Sequence, residues 1–598
     1  MTALSRTVTR LRDLGRFLAT ASRRRATMGE TQRFLLLSVL IGAFSGLLVV
    51  CFHIAIELLA WNTVHSQTHA GPWRVLLWPP LGAGIAYALV TLYFRPARGS
   101  GVNNTKAALY VSDGYVPTRS IPGKFLACTI SIGSGNPMGP EDPALQMGAG
   151  VASLLGRLFG LARRNMRMIA STGAAAGIAA AFNTPITGVL FVMEEVVAAW
   201  NAGVLGSIVL SAVSAVVVVR SFLGDATLFQ VPRFLLTDPS ELLIYALTGI
   251  VGGVLAAWFT RYVTRIRGWV LQLKPVARHS LPVVAGLVVG VTGIWAPEVL
   301  GSGYAAIESA LHDQFPWRVL AVLAILKLVT TSLSFCAGTP GGMFAPTLFI
   351  GAMLGGSIGG LAHLYWPFPT SPASAYVLVG IGTFFAGVFR APMTSIFMVF
   401  EVSGTYAIIL PVMIANTIAY MISRGMQHQS LFHIIGAQDG LELPSLEDQR
   451  ESPVRIVEEA MNAKSGRVLD GELAAEAGLE HLRATGLPVC LAATADGGWL
   501  QIRRDQLEEA CSEGRGRGPL RGVPGAQPAA KLYPDVTLDT ALKRLSGAAI
   551  LPVVSRANPM LLRGTLTLDD VLRAYGLAEE GGSPEAGGDG PPASGAPG

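Results

Sequence analysis

Two stretches of this chain combine helix-breaking residues with few or no charges in apolar surroundings, a pattern that could handle ions. One is Gly133 to Pro143, which carries Glu141 and Asp142; the other is Gly338 to Pro346, which carries no charge. Unbroken spanning helices would not tolerate a run such as Gly338-Thr339-Pro340-Gly341-Gly342. Non-helical backbone at membrane depth persists only where protein buries it or where it lines a cavity. Short or re-entrant helices whose ends meet inside the membrane are therefore expected. A helix that begins there presents unpaired N–H groups and the positive end of its dipole, and it attracts an anion. Glycine lets the backbone approach closely, and a hydroxyl such as that of Ser100 adds a donor without net charge. Arg or Lys at such a point would hold an ion too tightly for turnover, and a cation would want carbonyls or carboxylates instead. The chemistry indicated is passage of a small anion. Glu141 could simply stabilise a helix start, but a carboxylate at membrane depth is costly and usually functional.

The elements that must position these residues are those of a polytopic membrane protein. Of 598 residues, 51% are hydrophobic and only 14% are Asp, Glu, Lys or Arg, against about 25% charge in soluble chains. That balance excludes an ordinary soluble enzyme and a disordered or fibrous chain. The net charge of +6 is too small, and too concentrated in one segment, to indicate nucleic-acid binding. Five scattered cysteines, with no CxxC pair, make neither a disulfide framework nor a zinc site. Residues 1–33 hold eight arginines against Asp13 and Glu30. They read as a basic segment retained on the cytoplasmic side, lying as an amphipathic helix on the membrane surface. No signal peptide is expected.

Segments Phe34 to Ile56, Val75 to Phe94, Val196 to Val219, Leu242 to Thr260 and Leu281 to Pro297 lack Asp, Glu, Lys and Arg. Most are long enough to span, since roughly 20 helical residues cross a hydrocarbon core. Leu328 to Phe389 is also free of those four residues, yet it is interrupted by Gly and Pro, including Pro367-Phe368-Pro369. From Gln438 to Glu580 charges are frequent and apolar runs are short, as in a soluble α/β domain. Tyr533 to Leu538, a helical stretch, Ile550 to Val554 and Gly564 to Asp570 read strand, helix, strand, strand, helix. Gly581 to Gly598 is disordered on composition.

The membrane part resembles itself. Phe182-Asn183-Thr184-Pro185 through Glu194 aligns with Phe389-Arg390-Ala391-Pro392 through Glu401 at one offset (392 − 185 = 207), and Gly148-Ala149 and Gly156 match Gly351-Ala352 and Gly359. Duplicated halves with matching broken helices point to a midplane binding site of a transporter or channel.

Gly99-Ser100-Gly101-Val102-Asn103, Gly139-Pro140-Glu141-Asp142-Pro143 and Gly342-Met343-Phe344-Ala345-Pro346, in that order, resemble the GSGIP, GREGP and GxFxP motifs of the CLC family of chloride channels and proton/chloride exchangers. The similarity runs from about residue 30 to about residue 435. It implies an α-helical inverted-repeat fold with re-entrant helices, a homodimer, and a bacterial inner-membrane location with both termini cytoplasmic. It also implies that Ser100 and Gly101 contribute to a chloride site with the amides of Met343 and Phe344, that Glu141 is the gating glutamate, and that Glu195 carries protons internally. Phe432 aligns with the family's inner-gate tyrosine and lacks its hydroxyl. Asn103 in place of proline is expected to loosen its loop, and Asp142 in place of glycine to disfavour anion occupancy. Glu401 in the second repeat points to a structural task for Glu194.

Residues 453–577 resemble a pair of CBS domains, the first repeat degenerate. Thr567 and Asp570 match positions that contact adenine nucleotide in binding members; a purely structural module fits equally. The domain organisation expected is a basic segment over 1–33, a membrane domain over 34–437, a linker over 438–452, the CBS pair over 453–577 and a tail over 578–598. No cofactor is required and no metal is expected; chloride and protons are the substrates. Proton-coupled chloride antiport is the leading reading, because Glu195 is present where family channels usually lack an acid. A passive chloride channel is the runner-up. An intramembrane enzyme using Glu141, Asp142 and His363 is the distant third, lacking a nucleophile–base pair or HExxH spacing.

Overall fold

The computed structural model describes residues 30–65, 73–161, 163–197, 202–232, 238–441, 443, 455–463, 466–494, 498–556, 558, 561–575 and 577. Nearly all of the basic segment, most of the 438–452 linker and the 578–598 tail lie outside these residues. The chain divides into two compact units, residues 1–447 and 448–598.

The first unit is helical: α1 (Glu30–Ala60), α2 (Trp73–Ala88), α3 (Gly101–Tyr110), α4 (Ser120–Gly133), α5 (Glu141–Leu158), α6 (Arg163–Phe182), α7 (Pro185–Phe191), α8 (Ala202–Leu223), α9 (Glu241–Gln272), α10 (Pro275–Trp295), α11 (Tyr304–Leu311), α12 (Trp317–Ala337), α13 (Phe344–Tyr365), α14 (Ala373–Phe389), α15 (Pro392–Ser403), α16 (Ile409–Met426) and α17 (Leu431–Gln438). Helices α7, α10 and α15 start on proline, whose missing N–H is no loss at that position. Among the described residues, eight helical stretches are long and apolar enough to cross a membrane. Two of them, Trp317–Ala337 and Tyr406–Gln438, are not among the runs singled out in the sequence; Lys327 interrupts the first, whereas Tyr406 to Ser423 within the second is itself free of charge. The span expected over Val196 to Val219 is shorter, since α8 starts at Ala202 and a π-helical turn occupies Val192–Val196.

The two Gly- and Pro-rich breaks are real interruptions. Helix α4 ends at Gly133 and α5 begins at Glu141; α12 ends on left-handed Gly338 (φ 91°) and α13 begins at Phe344. Gly139 and Gly342 then exchange N–H···O bonds of 2.8 Å in both directions, joining the breaks. A Cβ on Gly342 would lie 2.6 Å from the Cβ of Asp142, so only glycine permits this approach.

The sequence repeat is also a structural repeat. Asn183 and Arg390, equivalent in the two copies, both take left-handed backbone (φ 57° and 60°). Helix pairs α5–α6 and α13–α14 cross at matching glycines, Gly148 on Gly173 and Gly351 on Gly380, where any Cβ would strike a carbonyl oxygen. Small residues at a crossing let helices pack backbone to backbone. Glu194 accepts from the Met393 and Thr394 amides (3.2 and 2.8 Å) and the Thr394 hydroxyl (2.6 Å), capping α15. Glu401 does the same for α7, accepting from the amides of Ile186 and Thr187 (2.9 and 2.7 Å) and the Thr187 hydroxyl (2.6 Å). Each repeat thus supplies the anion that closes a helix start of the other, where a carboxylate is most stabilising.

The second unit contains α18 (Val457–Ala460), β1 (Val468–Leu469), α19 (Ala475–Thr485), β2 (Val489–Ala493), β3 (Trp499–Arg503), α20 (Arg504–Ser512), β4 (Gln527–Pro528), α21 (Leu538–Leu545), β5 (Ile550–Val554), β6 (Leu562–Thr567) and α22 (Leu568–Ala574). One sheet has the order β1-β2-β3-β4; β5 and β6 form an antiparallel pair. The strand expected over Tyr533 to Leu538 is absent there. Only isolated bridges flank and end it, Leu532 to Val553 and Thr537 to Ile456, and Pro534, which lacks an N–H, cannot extend the ladder.

Removing either cross-repeat carboxylate leaves three donors without their acceptor. Glu194→Ala and Glu401→Ala are each expected to lower stability by about 2 kcal/mol, measured by thermal unfolding in detergent. Because the two caps are separate, their effects should add.

Candidate functional site

Four helix starts converge in the first unit: α3 at Ser100, α5 at Glu141, α13 at Phe344 and α17 at Leu431. The Gly139–Gly342 pair joins the second to the third. Asp142 joins the first to the second, and the Asn103 amide, donating to the Phe432 carbonyl at 3.0 Å, joins the first to the fourth. Asn103 therefore ties its helix down rather than loosening the loop, because its side chain supplies a donor that proline lacks.

Glu141 is fully buried and bridges two elements. Its Oε2 accepts from the Ala345 amide in the first turn of α13 at 3.3 Å, and its Oε1 accepts a short hydrogen bond from the Tyr304 hydroxyl. Tyr304 opens α11, and the loop before it is secured by Lys327, whose Nζ donates to the carbonyls of Val299 and Gly301 at 2.7 Å each. The same ammonium lies 4.9 Å from the centre of the Phe349 ring.

Asp142, one residue on, faces the other way. Its carboxylate accepts from the Gly101 and Val102 amides at 2.8 and 3.0 Å and from the Ser100 hydroxyl at 3.1 Å. Ser100 is the N-cap of α3 and also accepts from the Asn103 amide at 3.5 Å. Lys124 donates to the Gly99 carbonyl at 2.7 Å, fixing the approach to this turn.

Phe344 and Phe432 are buried in an aromatic cluster: the Phe344 ring centre lies 5.0 Å from Phe191, 4.9 Å from Phe389 and 5.8 Å from Phe432. Phe432 stacks on Phe389 at 4.9 Å, and Met343 is the N-cap of α13. Glu195 sits in the π-helical turn Val192–Val196, an irregularity frequent at functional sites. It pairs with Lys106 of α3 at 2.5 Å, both side chains less than a tenth exposed. His363 takes no part in this cluster; its Nε2 is 2.8 Å from the Ser371 carbonyl oxygen.

Sequence reasoning missed Tyr304, Lys106 and Lys327. Lys106 is the one charge between Arg98 and Asp113, and Lys327 the one between Arg318 and Arg390, so charge isolation marked both. Nothing local distinguished Tyr304; its partner lies 163 residues away.

In the second unit, Thr567 and Asp570 engage each other. Thr567 caps α22, donating from its hydroxyl and amide to Asp570 Oδ2 at 2.6 and 2.9 Å. Arg467 and Arg573 donate to the same carboxylate at 2.6 and 2.8 Å. Burial pushes the Asp570 carboxyl up, but the bonds from Arg467 and Thr567 outweigh it and hold the group below its usual range. An open depression of about 540 Å³ beside it is lined by Glu459 to Ala463, Asp570, Arg573 and Ala574.

Comparison with known proteins matches residues 82–424 to the family described as voltage gated chloride channel. A ClcB-like chloride channel protein of Ralstonia nicotianae is 32% identical over 409 residues, covering 66% of this chain and 94% of the relative. The H(+)/Cl(-) exchange transporter ClcA of Yersinia pestis is 29% identical over 416 residues, covering 68% and 87%. Among solved structures, a slow cyanobacterial Cl−/H+ antiporter superposes with a TM-score of 0.63 at 22% identity, covering 72% of this chain and all of that one. A eukaryotic CLC transporter gives 0.58 at 20% identity, covering 90% and 98%.

Because the Asp570 carboxyl is depressed in the folded state, its contribution is present above the ordinary aspartate value and is lost as pH falls through the folded value. Scanning calorimetry of the full-length protein should show the C-terminal transition dropping in temperature below about pH 4. Asp570→Asn should start lower and respond less to acid.

Proposed function

Because the chain belongs to the voltage-gated chloride channel (CLC) family, we propose that it is a multi-pass membrane protein that exchanges chloride for protons. The observation that carries this reading is the Glu141 carboxylate, buried where two interrupted helices meet and bonded to the first turn of α13. The relatives named as proton/chloride exchangers support the same activity.

Chloride is attracted to the helix starts by amide donors and dipole ends, without a fixed cation that would trap it. Ser100, Gly101, Met343 and Phe344 are its proposed ligands. Ionised Glu141 competes with chloride for the start of α13. Protonation removes the charge that holds the side chain there, so it leaves and chloride enters; when chloride departs, the carboxyl group gives up its proton and returns as the carboxylate. One side chain thus alternates between plug and proton carrier, which couples the two fluxes. Glu195 passes protons to the opposite side, and each proton arriving there must displace the Lys106 ammonium. Phe432, stacked on Phe389 and packed beside Phe344, closes the inner end by bulk alone.

The arginine-rich start supports a cytoplasmic N-terminus in a bacterial inner membrane, and family resemblance supports a homodimer with a cytoplasmic C-terminus. The second unit is proposed to be a CBS pair, and the structural likeness to the eukaryotic CLC transporter covers more of the chain than the first unit holds. Adenine nucleotide at Thr567 and Asp570 would have to open their capping box and the Arg467 bridge. Calorimetric titration of the full-length protein with ATP or AMP tests this, and absence of heat would retire it.

In proteoliposomes, a chloride gradient should drive proton pumping that vanishes in Glu141→Ala. Chloride flow without protons in the wild type would make the chain a passive channel; no anion movement would end both readings. Glu195→Gln should keep chloride flux and lose proton flux. Lys106→Met, which frees the Glu195 carboxylate, should raise the ratio of proton to chloride flux.

A further inference from the structure

Asp142 is the feature that the exchange reading does not absorb. Consecutive carboxylates open α5 and reach different helix starts: Glu141 engages α13, and Asp142 engages α3 through the Gly101 amide (2.8 Å), the Val102 amide (3.0 Å) and the Ser100 hydroxyl (3.1 Å). The side chain is almost wholly buried, at 1% exposure. Its neighbours form a tight seat: a Cβ on Gly342 would fall 2.6 Å from Asp142 Cβ, and the Lys124 ammonium braces the Gly99 carbonyl beside Ser100.

Three donors converging on one carboxylate at a helix start constitute an anion site that is already filled by the chain itself. Two of them, Ser100 and Gly101, are donors proposed for chloride. A covalently tethered competitor has a high effective concentration, so a free anion must outcompete a group that never diffuses away. Glu141 has a different seat and does not relieve this competition by leaving it.

We propose that Asp142 is a second, built-in anionic gate: a tethered carboxylate that occupies the Ser100–Gly101–Val102 turn and must be displaced before chloride is bound there. The inference rests on the chloride-exchange reading and assigns to that site a residue that sets its anion affinity. It divides the two helix starts between two carboxylates, Glu141 closing the α13 side and Asp142 the α3 side. The exchange of ligands at α3 is a simple displacement: three hydrogen bonds to carboxylate oxygens are given up and donors turn to chloride.

The test is chloride binding to the purified full-length protein by calorimetry, together with chloride flux in proteoliposomes, for wild type, Asp142→Gly and Asp142→Asn. Abolishing competition worth even one charge-assisted bond corresponds to about tenfold in affinity. Asp142→Gly is therefore expected to lower the chloride concentration for half-maximal binding and flux by about tenfold or more, with Asp142→Asn, which keeps the shape but not the charge, in between. A purely structural carboxylate would not move chloride affinity in that direction. Unchanged or weaker chloride affinity in both variants, each still monodisperse, would overturn the proposal. Should Asp142→Gly fail to fold, Asp142→Asn alone decides by the same criterion. Failure of the exchange reading is distinguishable, because then the wild type would move chloride without protons, or move no anion at all, whatever the variants do to chloride affinity.

Discussion

The reciprocal backbone pair between Gly139 and Gly342 is the constraint on which the rest of the first unit depends. It joins two interrupted segments some 200 residues apart in sequence (342 − 139 = 203) and brings the starts of α5 and α13 to one place. Without side chains at either glycine, the loops approach to hydrogen-bonding distance, and the starts of α5 and α13 are held beside one another. The carboxylate proposed as the gate has its reach set by this junction: Glu141 begins α5 yet bonds an amide of α13.

Buried charge in this unit is distributed by a consistent rule. Lys327 is spent on the carbonyls of Val299 and Gly301, Lys124 on that of Gly99, and Lys106 on Glu195. Each buried ammonium has a partner, as burial demands, and the first two brace loops that flank the helix starts. The starts of α13 and α3 bond to acids, Glu141 and Asp142, which on the proposed reading compete with an anion instead of trapping it. In that proposal selectivity for negative charge comes from peptide dipoles, and turnover is governed by carboxylates that can leave.

The pseudo-symmetry serves stability as well as function. Glu194 and Glu401 exchange caps between α7 and α15 with nearly identical geometry, while their neighbour Glu195 has no acidic counterpart in the second copy, where Val402 follows Glu401. Duplication thus supplied a pair of structural acids, and one half added a third with a different partner. The distinction between Glu194 and Glu195, adjacent in sequence, lies wholly in what each faces.

Much of this was legible before any coordinates. Low charge, apolar runs, the breaks at Gly133 to Pro143 and Gly338 to Pro346, and the 207-residue repeat are local or periodic signals, because glycine and proline act on their own backbone and apolar faces follow helix period. The motifs around Ser100, Glu141 and Phe344 were readable for the same reason. Which acid bonds which helix start was not. Asp142 on α3, Tyr304 on Glu141, Lys106 on Glu195 and Asn103 on Phe432 join residues 42, 163, 89 and 329 positions apart. Such pairings arise only when the helices have packed, since their spacing carries no period and direction is decided by the rotamer that the surrounding glycines leave room for. The residues and breaks needed for an anion pathway are written along the chain; the occupant of each helix start was decided by tertiary packing.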